Sequence, residues 1–369
     1  MYSQNELDEA VAAGAISADA AASLRNHIHS QRALPAVDEE QFRLITGFND
    51  IFVAIAAIIL LVAIGWIGQA IGEATGTAIS RDGPSFIAPA AVAATSWALA
   101  LFFTARRRMA LPSILLLLAF IGSVFTASCL LLVLGIGGAQ LENNAPLGGA
   151  VAAAAGAITA GAAWLHWRRF RVPITVAAGA AAVVAIAIGL LVAALGQDFE
   201  FTTQVVTAFV LLLGVGVFLV AMRWDSSDPA RVTRRSDVAF WLHLLAAPMM
   251  VHPIFTLLGL NDGQVTVGEG LVVVLLYVLI GVTALAIDRR ALLVSALAYV
   301  LFALNALFKQ FGAIELNVAL TALVIGSSLL LLSAFWHQAR QAVVRPLPDS
   351  LKSKLPLLDR QPAVSAQAA

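Results

Sequence analysis

Two histidines nine residues apart, His243 and His252, lie in an apolar stretch that reads WLHLLAAPMMVHPIF. Ionisable groups at bilayer depth are costly, so they are the first residues to weigh for function. Nine steps of 100° put the two rings on opposite faces of a straight helix, and no shared metal site is expected. Pro248 removes a backbone hydrogen bond between them, and Pro253 follows His252 directly. Interrupted helices at membrane depth are where carriers place binding groups. The expected partners of His252 are Asn305 or a carbonyl freed by Pro248.

A polar stripe runs along the apolar stretch around residue 300. Ser295, Tyr299, Asn305 and Lys309 fall within an arc of about 120°, with Leu297, Leu301 and Leu304 opposite. Asn317, Thr321 and Ser328 share one face of the stretch after it. His252, Tyr299, Asn305, Lys309, Asn317 and Thr321, with His243 further along the same helix, are therefore the candidate lining of a small polar cavity. It would sit in the outer half of the bilayer. His166 lies at the inner end of its own stretch, where water is expected to reach it, and is set aside.

Enzyme signatures are missing. The chain has no Walker loop, no H-E-x-x-H, no dinucleotide fingerprint and no G-x-S-x-G. A non-enzymatic role is expected, with no catalytic residue, cofactor or metal. No acidic residue lies deep within an apolar stretch, which counts against a carboxylate-based ion relay. Cys129 is the only cysteine, so no disulfide can form within the chain. The net charge is zero, and no nucleic-acid partner is expected.

The elements that position these residues are membrane helices. Hydrophobic residues make up 60% of the chain and charged residues 12%, with a mean hydropathy of +0.89. A soluble surface needs far more charge. Residues 111–135 and 174–196 hold no charge at all, and each is long enough to cross the hydrocarbon core. Ten spans are expected, near 51–71, 86–105, 111–135, 147–167, 174–196, 203–222, 238–260, 270–287, 291–308 and 316–336. Lipid offers no partner to an open backbone, and the alternation of a membrane barrel is absent, so the fold class is all-α: a polytopic transmembrane helix bundle.

Basic residues orient it. With the amino terminus inside, 20 of the 22 Lys and Arg fall in the inner segments, leaving only Arg81 and Lys309 outside. The outer loops carry eight acids instead. The positive-inside rule then places both termini in the cytoplasm. Residues 1–50 carry eight acidic residues and no apolar core, so no leader peptide is expected there. The motifs RRRMALPS at 106, RRFRVPIT at 168, RRSDVAFW at 234 and DRRALLVS at 288 recur about every sixty residues. Each closes one span and opens the next, as stacked hairpins would or as any evenly spaced bundle would. Gly148, Ala152, Gly156 and Ala160 repeat every four residues in the fourth span, the spacing for close helix approach within the fold or across a dimer seam.

Three regions follow from this: 1–49, a helical hairpin with an interfacial helix; 50–336, the bundle; and 337–369, a flexible cytoplasmic tail. In the hairpin, Ser3 and Glu6 have capping-box spacing, Gly14 can end one helix and Ser17 can cap the next. Phe42, Ile45 and Phe48 suit a helix lying against the headgroups. A hairpin of about thirty residues cannot bury a core alone, so it should dock on the bundle or on a partner.

The hairpin's Gly14, Ala15, Ile16 and Ser17 match a G-x-I-[ST] pattern, followed by a short acidic link and many spans with DRR turns. In this the chain resembles a family of uncharacterised bacterial multipass membrane proteins. The resemblance implies a location in the bacterial inner membrane and this architecture, and it carries no catalytic residues. The expected partners are the lipid bilayer, with a cytoplasmic protein or a second copy of the chain. Two functions stay open: a small-solute carrier built on the polar cavity of spans 7, 9 and 10, and a non-transporting scaffold or sensor whose hairpin docks a partner. An intramembrane enzyme acting on lipid-linked substrates is a third.

Overall fold

The computed structural model describes residues 11–24, 48–80, 83–196, 199–229, 231, 233–259, 266–310, 317–353, 355, 356 and 358. Ser3, Glu6, Phe42 and Ile45 lie outside them. The chain divides into two units, Met1–Arg43 with Asp359–Ala369, and Leu44–Leu358. In the first, Gly14 takes φ +71° and Ser17 Oγ accepts the Ala20 N–H at 3.1 Å, so a helix ends and another is capped three residues on.

The second unit is built from helices α1 (Phe48–Ala74), α2 (Ile87–Phe103), α3 (Ala110–Ile136), α4 (Ala145–Phe170), α5 (Ile174–Leu195), α6 (Phe199–Ser226), α7 (Arg234–Leu257), α8 (Val267–Ile287), α9 (Ala291–Gln310), α10 (Asn317–Ala334) and α11 (Trp336–Val344). Among the described residues there is no β-strand, and one isolated bridge joins Ala78 to Ser85. Among the described residues, seven helices are long and apolar enough to cross a membrane: α1, α3, α4, α5, α6, α7 and α8. The α10–α11 pair adds an eighth if its 75° bend counts as one broken span, and α2 is a shorter apolar helix. Their apolar surface is turned outward as well as inward. Phe52, Ile59 and Trp66 stand exposed at seven-residue spacing on α1, which only a lipid solvent makes favourable. The chain is an all-α integral membrane protein of several passes.

The most extensively packed helix pairs are α4 with α5, α6 with α7, and α2 with α3, followed by α8 with α9. These are the four pairs joined by the recurrent basic motifs. Among the described residues, each turn contains one non-glycine residue in the left-handed region: Arg108, Arg171, Arg231 and Asp288, with φ between 53° and 57°. That conformation lets backbone N–H groups reach back to the last helical carbonyls, as Met109 does to Phe103 and Arg289 to Ala284.

The α4–α5 pair shows how small residues set the spacing. A side chain on Gly149 or Gly189 would lie 2.6 Å from backbone atoms of the opposite helix, and Gly156 meets the Ala182 carbonyl. The contact face is Gly149, Ala153 and Gly156, whereas Gly148 opens onto free space. Of the expected 148, 152, 156 and 160 repeat only Gly156 is on this face, whose spacing is i, i+4 and i+7. The tail differs as well. Residues 336–344 form a helix that buries Trp336, Arg340 and Val344 at i, i+4 and i+8.

Candidate functional site

The densest polar construction in the bundle lies at the ends of α6 to α9, where the basic motifs turn. The sixth helix does not stop at Met222, where the charges begin, but runs on to Ser226 and carries Asp225 into the protein. Its carboxylate accepts from Arg289 Nε at 3.2 Å and from Arg289 Nη2, and lies 2.9 Å from His243 Nε2. Arg289 also donates to the Ser236 carbonyl at 3.1 Å and lies over the Phe240 ring. Asp225 and Arg289 are 2% exposed, and His243 is fully buried.

A second centre adjoins it. The left-handed turn at Asp288 leaves its carboxylate facing Arg231 Nη1 at 3.0 Å and Trp336 Nε1 at 2.8 Å. Arg231 Nη2 donates to the carbonyls of Ile287 and Asp288. Arg340, on the helix after the bend, lies 3.8 Å from Asp288 and donates to the Pro356 carbonyl. Asp228 Oδ2 accepts both the Thr233 N–H and its hydroxyl, fixing the turn that starts α7. Three buried aspartates and three buried arginines thus join the α6–α7 turn, the α8–α9 turn and α11.

Taking such charges out of water costs several kcal/mol per ion, repaid only by good geometry and further hydrogen bonds. Those bonds are present here, many of them charge-assisted. The arrangement holds two helical hairpins and the bent segment in one register. No group of three or more His, Cys, Asp or Glu suited to a metal occurs among the described residues.

The candidate cavity residues divide. His243 belongs to the Asp225 centre, with Nδ1 buried and unpartnered among the described residues. His252 Nδ1 hydrogen-bonds the Tyr299 hydroxyl, so α7 and α9 meet there, and Tyr299 stacks on Phe255 at 4.3 Å. His252 is on the exposed side of that contact. Thr321 is buried, and its hydroxyl has no partner among the described residues. The side chains of Asn305, Lys309 and Asn317 lie outside the description. Between α7, α8, α9 and α10, the space is filled by Val251, Phe255, Val273, Ala296, Val300 and Ile325.

His166 is not at water. It is 1% exposed, because the turn at Arg171 folds the start of α5 back over it. Its Nδ1 lies 3.2 Å from Thr175 Oγ1, and its ring packs with Trp97, Phe120 and Phe170. The residues that sequence reasoning passed over are Asp225, Asp228, Arg231, Asp288, Arg289 and Arg340. A signal was available: the inner turns at 106–110 and 168–173 are purely basic, whereas those at 223–237 and 288–290 mix Asp with Arg. No family model, curated protein or solved structure matches the chain.

Proposed function

We propose that the protein is a scaffold of the cytoplasmic membrane: ten spans, both termini inside, neither enzyme nor carrier, with the amino-terminal hairpin docking a cytoplasmic partner. The observation that supports this is the distribution of buried polarity. In the second half of the bundle, charged side chains gather at the ends that carry the basic turns, paired with one another. The middle of α7 to α10 is packed with apolar side chains. A bundle held this way has a fixed face, which suits assembly more than alternating access.

A small-solute carrier is the second reading. Pro248 and Pro253 in α7, the His252–Tyr299 bond and the unpartnered Thr321 hydroxyl favour it. Cysteine accessibility separates the two. In a Cys129→Ala background, Tyr299→Cys and Thr321→Cys should resist a charged, membrane-impermeant thiol reagent from either side. Rapid labelling of both would mean an aqueous path between α7, α9 and α10, and the carrier reading would replace the scaffold.

A further inference from the structure

We infer that the bend between α10 and α11 forms a binding site for one anionic phospholipid. A cavity of about 130 Å³ lies against the bend, lined by Tyr277, Leu293, Leu297, Leu329, Leu332 and Trp336, with Arg290 and Ser333 also on its wall. Its leucines match an acyl chain. Val294 and Ser333 on its rim are exposed, so the opening faces sideways from the bundle, where lipid is, rather than into the protein.

The polar side of the cavity is cationic. Arg290 lies in the α8–α9 turn, next to Arg289 of the buried ionic centre, and its guanidinium sits over the Trp336 ring, 4.9 Å from the centroid. A tryptophan and an arginine side by side at the end of an apolar helix mark the depth of the headgroups. Basic pockets between helices at that depth hold lipid phosphates, because a guanidinium can donate two parallel hydrogen bonds to them. Tyr277 adds a further feature. Its hydroxyl is buried in the wall and has no hydrogen-bond partner among the described residues. A donor left so is unfavourable, and a glycerol-ester oxygen entering the cavity is the acceptor it lacks.

The bend itself explains the site's location. Trp336 donates to Asp288, and Arg340 reaches the same carboxylate, so α11 is turned 75° away from α10 and held against the α8–α9 turn. Straightening the pair would remove the wall that Trp336 provides. The occupant should therefore also support the bend, and its headgroup should lie beside the ionic centre.

The experiment uses the purified full-length chain in detergent. Retention of single lipids is read by native mass spectrometry, with phosphatidylglycerol against phosphatidylcholine of the same acyl chains. Both lipids carry the phosphate, but only phosphatidylcholine brings a cation that opposes Arg290, so one phosphatidylglycerol should be retained about tenfold more tightly, on the order of 1.4 kcal/mol. Arg290→Gln should abolish that preference. Val294→Trp, a change at a position that is 65% exposed and so tolerant, should block the opening and remove retention of the bound lipid. If Arg290→Gln does not fold, Val294→Trp decides alone. Equal retention of the two lipids, undiminished retention by Val294→Trp, or displacement by millimolar inorganic phosphate would each overturn the assignment.

Discussion

Asp225→Asn is the sharpest perturbation of the ionic centre, because it removes one charge and almost no volume. The parent carboxylate accepts two hydrogen bonds from Arg289 and faces His243 Nε2. An asparagine offers one acceptor oxygen in place of two and turns its NH2 toward an Arg289 N–H, leaving the buried guanidinium of Arg289 without its counter-charge. Breaking a buried pair from one side costs about 3–5 kcal/mol. Arg289→Met should cost a similar amount by stranding the carboxylate. In the double variant neither charge remains, and the introduced amide can still bond to His243, so its loss should be smaller than that of either single change. The measurement is equilibrium unfolding in an SDS titration, arranged as a double-mutant cycle. Additive losses would refute the pairing, and single variants within about 0.5 kcal/mol of the parent, the range typical of unimportant surface sites, would refute the burial.

Gly189→Leu should destabilise by ~1–3 kcal/mol or more, since its Cβ would lie 2.6 Å from backbone atoms of α4, while Gly148→Leu, which meets open space, should leave the thermal melt unchanged. Reporter fusions at residues 140 and 262 should read as external and those at 229 and 369 as internal; one clean reversal among the four would overturn the ten-span threading.

The helical class, the seven long apolar helices and the hairpin turns were legible because run length and charge segregation act locally along the chain. The end of the sixth helix was not. Charges from residue 223 onward resemble a wetted loop, and only the fold shows that Asp225 turns inward to an arginine 64 residues away. His166 misleads for the same reason, since nearness to a basic turn does not reveal that α5 covers it. For His252 the expected partners were Asn305 or a freed carbonyl, and the partner among the described side chains is the Tyr299 hydroxyl. Both Tyr299 and Asn305 lie on the polar stripe, and spacing alone cannot rank them. The α4–α5 seam shows the limit on a smaller scale: a run rich in small residues marks a close approach, and packing chooses which of them meet the other helix.

Arginines near the helix ends stand in two electrostatic conditions. Arg106, Arg107, Arg108, Arg168, Arg169 and Arg171 stay exposed, whereas Arg231, Arg289 and Arg340 are covered and neutralised. An inserting chain is sorted before it folds, and at that moment all nine count alike toward orientation. The finished protein shows the surrounding leaflet only part of that charge. Added salt should therefore screen the face made by the α2–α3 and α4–α5 turns, and leave the opposite half's internal attractions nearly unchanged. The topogenic signal and the mature surface field are separate properties of one set of arginines, and a substitution that alters one need not alter the other.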